Sequence, residues 1–316
     1  MNTIQAAGGL LPGLWQPLTV AEAWELKRNL GGAAVFTAGG TLLRTQWEAG
    51  TVPLPAQLIS LEAVAELQGI RISGGQILAG SQVRLEACRS QKVSGLLAAA
   101  SRTIGAPSIR RLATLGGNVA SGIGDALPAL LVKDAVLHWY GDAGYESVEL
   151  AEWLDARAGG AAEGRLLTGV ELQADEAVGE KPDAGERAVG FYRKIMRREA
   201  FVPSLAAAAL TAVIREDGTL RAVRVAAGGG SSAARRLRGT EQELEGRGVD
   251  ATLVRKLQTG VQEEWPAFAD AFASAEYRRL AAANVLAAGL WELRRPEAEA
   301  GRKNVEGGRG TADEAG

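Results

Sequence analysis

The chain has 316 residues, 47% of them hydrophobic and 23% charged, which is an ordinary composition for a packed protein of two or three domains. The 35 basic and 37 acidic residues give a formal net charge of −2, and this balance argues against a protein that binds nucleic acid. One cysteine, Cys88, and one histidine, His138, exclude an internal disulfide, an iron–sulfur cluster held by this chain and a multi-histidine metal site.

The first half of the sequence mixes short strands and helices. Thr19 and Glu22 form a capping box, which predicts a helix that ends at Gly31-Gly32. The later patterns predict a buried strand at 33–38, an apolar segment at 58–59, a hairpin at 70–79, helical structure over 81–104, a helix at 125–132 with Pro128 in its first turn, a hairpin at 136–150 and a strand at 166–172.

A stretch rich in charge and glycine, residues 174–187, divides the sequence and predicts an exposed linker. The patterns beyond it predict strands at 190–196, 205–214 and 220–226, a tight turn at Asp217-Gly218, and helices at 251–264 and 276–294. Residues 296–316 contain almost no large apolar residue and predict a disordered tail. Because strands and helices mix without a regular βαβ alternation, the predicted fold class is α+β.

The first motif that indicates chemistry is Thr37-Ala-Gly-Gly-Thr41, directly after a predicted strand. Two consecutive glycines let backbone N–H groups converge on an anion, and a threonine adds a hydroxyl donor. The motif is neither the G-x-G-x-x-G dinucleotide fingerprint nor a phosphate loop with its lysine. A simple glycine turn at the end of a strand is the alternative interpretation.

A second motif of the same kind is Thr114-Leu-Gly-Gly-Asn118, and Gly124-Asp125 follows shortly after it. A diphosphate needs donors on both sides, so two glycine turns from separate segments could clasp one. Asp125 has two interpretations. It could cap the helix that follows, or its carboxylate could accept hydrogen bonds from sugar or ribityl hydroxyls.

Other residues have plainer interpretations. The run from Gly228 to Ser232 is interpreted as a strand-to-helix loop rather than a phosphate site, because it lacks a suitably placed lysine. Lys194 lies in a basic cluster that could be solvated or could meet an anionic cofactor. His138 is predicted to be packed and neutral, and Cys88 to lie in the core.

Taken in order, the motifs resemble the FAD-binding subunit of the molybdenum hydroxylases, the family that includes xanthine dehydrogenase and carbon monoxide dehydrogenase. The resemblance covers roughly residues 10–295. One departure is that the segment between Asn118 and Asp125 is shorter than the family's usual run, which contains Ser-Pro. The segments that carry the resemblance are 38–41, 109–118, 124–131, 192–199 and 225–229.

The resemblance implies an FAD-binding domain of the vanillyl-alcohol-oxidase (PCMH) type at 1–173, in subdomains of about 1–57 and 58–173. It implies a small C-terminal α+β domain at 188–295. It also implies non-covalent FAD, with Tyr192 as the aromatic residue found near the isoalloxazine in some members. The residues implied at the cofactor are Phe36, Thr37, Ala38, Gly39, Gly40, Thr41, Leu42, Leu43, Thr114, Leu115, Gly116, Gly117, Asn118, Asp125, Leu167, Tyr192 and Lys194.

The implied function is electron transfer in a multi-subunit, xanthine dehydrogenase-like enzyme. Partner subunits would carry the iron–sulfur clusters and the molybdopterin, and electrons would pass through FAD to NAD or another acceptor, so this chain needs no catalytic acid or base. The alternatives are a stand-alone FAD-dependent oxidase or dehydrogenase, and a cofactor-free scaffold subunit. No export signal or membrane-spanning run is visible, so the expected location is the cytoplasm.

Overall fold

The computed structural model describes residues 12–90, 93–160, 164–174, 182–197, 204–230 and 232–294. Within these ranges the chain forms three β-sheets with helices packed against them, so the predicted α+β class is confirmed. The predicted tail and half of the predicted linker, residues 175–181, lie outside the described residues. No helix in the described part of the chain is both long and apolar enough to cross a membrane.

The N-terminal sheet has three parallel strands in the order β1-β3-β2. Helix α1 begins after Thr19, whose hydroxyl accepts the Glu22 N–H, and ends at Gly31, as predicted. Helix α2 follows the first glycine motif directly and was not predicted. The elements are β1 (Gly13–Trp15), α1 (Val20–Leu30), β2 (Ala34–Thr37), α2 (Thr41–Glu48) and β3 (Gln57–Ser60).

The second sheet has five antiparallel strands in the order β4-β5-β8-β6-β7. Both predicted hairpins and the predicted strand at 166–172 are confirmed, and that strand lies between the two hairpins. The strands are β4 (Ile70–Ser73), β5 (Gln76–Gly80), β6 (Val136–Gly141), β7 (Gly144–Glu149) and β8 (Leu166–Gln173). The helices of this region are α3 (Leu85–Ser90), α4 (Gly95–Thr103), α5 (Pro107–Arg110), α6 (Leu115–Ala120), α7 (Leu127–Leu131) and α8 (Leu150–Ala158).

The C-terminal sheet has four antiparallel strands in the order β12-β11-β10-β9. Trp265 and the apolar faces of the last two helices cover one side of it. The predicted helices at 251–264 and 276–294 are confirmed to within one residue. The elements are β9 (Arg187–Ile195), β10 (Ala206–Ile214), β11 (Leu220–Gly229), β12 (Ser232–Arg236), α9 (Arg238–Leu244), α10 (Ala251–Glu264) and α11 (Ala275–Leu293).

Strand β10 lies between two hydrophobic cores. Ala207 and Ala209 pack into the core that holds α4, α7 and the five-stranded sheet, whereas Ala208 and Leu210 pack into the core under α10 and α11. A strand buried on both faces carries apolar residues without alternation, and here every residue except Ile214 is buried. The C-terminal sheet therefore packs directly onto the region that contains the second glycine motif.

Two local predictions are wrong. The run from Gly228 to Ser232 joins β11 to β12, so it connects two strands rather than a strand and a helix. The helix expected to begin at Asp125 begins at Leu127 instead, with Ala126 at its N-cap. Asp125 therefore does not cap this helix, and its carboxylate has different partners.

Candidate functional site

The first glycine motif lies against the segment that leads into the second. A Cβ atom added to Gly39 would lie 1.8 Å from the carbonyl oxygen of Leu112, just before the second motif. Arg84 donates to the same carbonyl oxygen at 2.5 Å. In the second motif, a Cβ atom on Gly116 would lie 2.5 Å from the Ser81 carbonyl oxygen. Only a residue without a side chain allows these backbones to approach so closely.

The first motif presents unpaired donors at the start of helix α2. The helix begins after Gly40, which has a φ of 66° and supplies no side-chain cap. The N–H groups of Gly39, Gly40, Thr41 and Leu42 find no acceptor among the described residues. A helix N-terminus with free N–H groups carries partial positive charge and is suited to bind an anion.

The second motif forms a short helix rather than the expected open turn. Thr114 is the N-cap of α6, and its hydroxyl accepts the Gly117 N–H at 3.0 Å. The Leu115 N–H donates to the Val83 carbonyl oxygen at 2.8 Å, and the Gly116 N–H to that of Ser81 at 2.9 Å. These N–H groups are therefore engaged within the protein, by the Thr114 hydroxyl at the N-cap and by the carbonyl oxygens of Val83 and Ser81, and are not open to a ligand as expected.

Asn118 connects the second motif to Asp125. Its side-chain oxygen accepts the Ala126 N–H at 3.2 Å, which holds the loop closed ahead of α7. A Cβ atom on Gly124 would lie 2.2 Å from that same oxygen, so the loop passes close over the Asn118 side chain. The Asn118 amide nitrogen donates to no acceptor in the described part of the chain, so two N–H donors remain beside the glycine motifs.

Asp125, Tyr192 and Lys194 lie close together where the C-terminal sheet packs onto the region that contains the second glycine motif. Lys194 Nζ lies 2.7 Å from Asp125 Oδ2 and donates to the Thr103 carbonyl oxygen at 2.9 Å. The Tyr192 hydroxyl donates to the Asp125 backbone carbonyl oxygen, also at 2.9 Å. The side chain of Lys194 is only 1% exposed, so the ammonium group depends on these partners to offset its lost hydration.

The phenol of Tyr192 is held neutral. Burial raises the pKa of Tyr192 well above its ordinary value, and the negative charge of Asp125 raises it further. A buried tyrosine with a satisfied hydroxyl is a donor and a packing group, and it is not a base at physiological pH.

The remaining predicted site residues differ in exposure. Leu167 is 5% exposed and lies in the core opposite Trp139, and its neighbour Thr168 accepts the Ser81 N–H at 3.0 Å. Strand β8 thus reaches the same Ser81 that contacts Gly116. Leu42 is 41% exposed beside the first motif, and Phe36 and Leu43 are half-buried.

Sequence reasoning missed two buried polar residues at this junction, Ser204 and Arg278. Ser204 donates to Asp125 Oδ1, and Arg278 donates to the backbone beside Ser204. The sequence feature that could have indicated this cluster is the glycine pair Gly229-Gly230, where β11 ends. A Cβ atom on Gly230 would lie 1.9 Å from Arg278 Nη1, so these glycines leave room for the cluster.

His138 is half-buried, with its side chain 27% exposed, and it is hydrogen-bonded as well as packed. Its ring is part of a polar ladder across the sheet, with Nε2 3.0 Å from Glu171 Oε2 and Nδ1 2.9 Å from the Ser147 hydroxyl. Cys88 is fully buried, as predicted, and burial raises the pKa of its thiol to about 12. No group of three or more His, Cys, Asp or Glu residues that could hold a metal ion occurs in the described ranges.

The donor set of the two motifs suits a phosphate group. The free N–H groups at α2, the hydroxyl of Thr41 and the amide of Asn118 all donate, and neither motif contains a carboxylate. Convergent donors without a competing negative charge are the requirement for binding a diphosphate.

Comparison with known families decides the assignment. The family described as "FAD binding domain in molybdopterin dehydrogenase" matches residues 7–172, and the family described as "CO dehydrogenase flavoprotein C-terminal domain" matches residues 190–293. The chain belongs to the FAD-binding subunits of the molybdenum hydroxylases. It carries the FAD-binding domain of that family followed by the family's C-terminal domain, and the resemblance stated from the motifs is confirmed.

Two relatives in this family have named activities. The chain is 34% identical to the carbon monoxide dehydrogenase medium chain of Hydrogenophaga pseudoflava over 121 residues, which is 37% of this chain and 42% of that protein. It is 27% identical to the nicotinate dehydrogenase FAD-subunit of Eubacterium barkeri over 214 residues, which is 64% of this chain and 69% of that protein. The first match therefore spans less than half the length of the relative.

Solved structures share the fold along nearly the whole chain. Carbon monoxide dehydrogenase from Hydrogenophaga pseudoflava matches with a TM-score of 0.76 at 22% identity, covering 90% of this chain and 98% of the matched one. Quinoline 2-oxidoreductase from Pseudomonas putida 86 matches with a TM-score of 0.75 at 19% identity, covering 90% and 97%. At these identities the likeness concerns the fold of the family.

Proposed function

We propose that this FAD-binding subunit transfers electrons within a multi-subunit molybdenum hydroxylase. Electrons would reach it from an iron–sulfur subunit, a molybdopterin subunit would oxidise the substrate, and NAD or another acceptor would take the electrons away. Two relatives support this role, since one is a medium chain of carbon monoxide dehydrogenase and the other an FAD-subunit of nicotinate dehydrogenase. When bound, FAD supplies the ability to take up and release electrons.

The observation that carries the proposal is the uncapped start of α2, which lies against the segment leading into the second glycine motif. The proposal assigns the FAD diphosphate to residues 36–43 and 114–118. The donors of the first motif come from the backbone, and those of the second come from side chains such as Asn118. The task of these residues is to bind and orient the cofactor.

The proposal assigns Asp125, Leu167, Tyr192 and Lys194 to the flavin end of the cofactor. Lys194 has three N–H donors, of which Asp125 and Thr103 engage two. The third has no acceptor in the described part of the chain and is available to an acceptor atom of the cofactor. The Asp125 carboxylate supplies the counter-charge that this buried ammonium group needs.

The type of substrate, the electron acceptor, the location and the domain boundaries are proposed as well. A xanthine dehydrogenase-like substrate, NAD as acceptor and a cytoplasmic location are further parts of the proposal, and the first two rest on the resemblance to the family. The division into 1–57, 58–173 and 188–295 is supported by the three sheets, although β3 (Gln57–Ser60) spans the first boundary.

The two alternatives, a stand-alone oxidase and a cofactor-free scaffold, would each require different features of the chain. A stand-alone oxidase needs its own acid or base at the flavin, and Tyr192 is too strongly held in the neutral form to serve as a base. A cofactor-free scaffold has no use for a row of free N–H donors at α2, since exposed helices are usually capped by a side chain.

The test uses the full chain purified without partner subunits. We expect flavin absorption bands, or their appearance after addition of FAD, and we expect no oxidation of xanthine, nicotinate or carbon monoxide. Addition of iron–sulfur and molybdopterin subunits should restore turnover. Absence of any FAD binding would support the scaffold alternative, and turnover by the isolated chain would support the stand-alone oxidase.

A further inference from the structure

Ser204 is hydrogen-bonded to the side chain of Asp125. Its hydroxyl donates to Asp125 Oδ1 at 2.5 Å and accepts the Gly230 N–H at 2.9 Å, and the residue is only 2% exposed. Because the Gly230 N–H occupies one lone pair, the single hydroxyl proton is directed at the carboxylate. Asp125 therefore has one oxygen on Ser204 and the other on Lys194.

Arg278 of helix α11 holds the segment that carries Ser204. Its side chain is fully buried, and Nη1 lies 2.6 Å from the Leu205 carbonyl oxygen and 3.5 Å from that of Ser204. Nη2 lies 2.5 Å from Asp270 Oδ2, which supplies the balancing charge. A buried guanidinium group needs a counter-ion and hydrogen-bond acceptors. Asp270 supplies the counter-ion and the two carbonyl oxygens accept from Nη1, whereas Nε has no hydrogen-bond partner among the described residues.

The carboxyl group of Asp270 stays ionised and so balances the charge of Arg278. Burial raises the pKa of Asp270, but hydrogen bonds from the Phe272 N–H, Arg278 and the Ala273 N–H outweigh that effect and leave the pKa below its usual value. The Arg278–Asp270 pair thus stays charged at neutral pH.

The turn between β11 and β12 is shaped around the same two residues. A Cβ atom on Gly229 would lie 2.6 Å from Ser204 Oγ, and one on Gly230 would lie 1.9 Å from Arg278 Nη1. Both glycines also have positive φ, 114° and 63°, which side-chain-bearing residues rarely adopt. The turn thus leaves room for Ser204 to reach Asp125 and for Arg278 to reach the backbone at Ser204 and Leu205.

We propose that Ser204 and Arg278 are positioning residues for the cofactor, which act through Asp125 and Lys194. Arg278 holds the backbone at residues 204–205, Ser204 orients the Asp125 carboxylate, and that carboxylate directs the Lys194 ammonium. The last helix of the C-terminal domain is thereby coupled to the flavin end of the site. This inference rests on the proposed function, which assigns Asp125 and Lys194 to that end.

The test measures FAD binding by the full chain after its flavin has been removed. Ser204→Ala and Arg278→Lys should each weaken FAD affinity by about tenfold, since a charge-assisted hydrogen bond next to the ligand is lost or displaced. The visible absorption bands of bound flavin should also shift, because the charges around the flavin end move. Titration of quenched flavin fluorescence and the absorption spectrum give the two readouts.

A double-mutant cycle separates positioning from a general structural role. In an Asp125→Asn background, Ser204→Ala should cause little further loss of affinity, because Ser204 acts through that carboxylate. Equal losses in both backgrounds would show that Ser204 does not act through Asp125 and would overturn the inference.

Glu186→Gln is the matched control. Glu186 pairs with buried Arg221 in the same domain at 2.5 Å, and neither residue contacts Asp125 in the described structure. This variant should lose stability and keep wild-type FAD affinity. If it loses affinity as much as Arg278→Lys does, the effect is structural and the inference fails.

Two further outcomes distinguish failure of this inference from failure of the proposed function. If Asp125→Asn and Lys194→Met lower FAD affinity while folded Ser204→Ala keeps wild-type affinity and spectrum, the inference is wrong and the proposed site stands. If Asp125→Asn and Lys194→Met leave affinity unchanged, the assignment of these residues to the cofactor is wrong, and the inference falls with it. Ser204→Ala removes one buried atom, so it keeps the test decisive even if Arg278→Lys does not fold.

Discussion

Gly39 illustrates how the absence of one methyl group lets two distant segments meet. Its backbone is not in the left-handed region, so its φ does not require a glycine. The requirement is space, because a Cβ atom would lie 1.8 Å from the Leu112 carbonyl oxygen. Any side chain there must push the start of α2 away from the segment that leads to Thr114.

Gly39→Ala should therefore abolish or strongly reduce FAD binding. The matched control is Gly32→Ala, because a Cβ atom at Gly32 meets nothing within 4 Å and its φ is not positive. The flavin-to-protein absorbance ratio of both purified variants measures the effect, with circular dichroism as the folding control. A folded Gly39→Ala protein that is fully loaded with FAD would contradict the assignment of this contact to the site.

FAD should be bound without a covalent bond. Covalent attachment uses a nucleophilic side chain next to the flavin. Cys88 is fully buried with its pKa raised to about 12, and His138 lies in the ladder with Glu171 and Ser147. Acid precipitation should release all of the yellow colour into the supernatant. Colour that remains with the denatured protein would refute the prediction.

At the scale of single residues, the sequence predicted positions whose signal is local. The glycine pairs and Asp125 were found because short motifs carry them. Ser204 and Arg278 were missed because their importance comes from contacts with residues far along the chain, 79 positions away for Ser204 and Asp125. No local pattern marks such a contact, except that close approach requires Gly229 and Gly230.

At the scale of elements, helices α6 and α10 both begin with a side-chain N-cap, but only α6 belongs to the candidate cofactor site. Asp250 caps α10 by accepting the Leu253 N–H at 2.7 Å, and Thr114 caps α6 by accepting the Gly117 N–H at 3.0 Å. The first cap lies at an ordinary helix start in the C-terminal domain. The second lies within the candidate cofactor site.

Thr114→Ala and Asp250→Ala should each lower the free energy of unfolding by about 1 kcal/mol, which is typical for loss of an N-cap. Only Thr114→Ala should also weaken FAD binding, because α6 then loses the contact that holds Gly117 and Asn118 in place. Denaturant unfolding and flavin titration measure the two effects. Equal flavin affinity in the two variants would argue against a role for α6 in the site.

Elements with strong local signals were predicted well, and elements imposed by packing were not. Helices α1 and α10 have caps and regular apolar spacing, and both were predicted closely. Helix α2 has no buried residue and begins at a glycine without a side-chain cap, so no start signal marks it. Helix α6 contains two glycines, which locally favour a turn, and hydrogen bonds to Ser81 and Val83 override that preference.

At the scale of the whole molecule, stability should depend on acidity through Glu86. Hydrogen bonds from Arg89 and then Arg110 lower the pKa of Glu86 to about 2. Arg110 also donates to the Gly105 carbonyl oxygen at 2.7 Å, so this cluster ties α3 to the turn that precedes α5. Because the folded-state pKa lies below the ordinary 4.5, the ionised carboxylate stabilises the fold above that pH.

Glu86→Gln should accordingly be less stable than the wild type at neutral pH. The stabilisation by the wild-type carboxylate is lost as the pH falls from 4.5 to about 2, so the difference in melting temperature should shrink across this window. Thermal unfolding followed by circular dichroism across that pH range measures it. A difference that stays constant with pH would mean that the carboxylate's charge is not the source of the stability.

The order of strands in the five-stranded sheet has a consequence for how the protein is made. The hairpins β4–β5 and β6–β7 emerge from the ribosome first, yet in the described sheet neither pairs with the other. Strand β8 joins them, pairing with β5 along one edge and β6 along the other. Until residue 173 has been synthesised, the edges of β5 and β6 that β8 will cover are open, and they can pair wrongly with each other or with a neighbouring chain. Completing the sheet then requires β5 to pair with a strand far along the chain, and such long-range pairing slows folding.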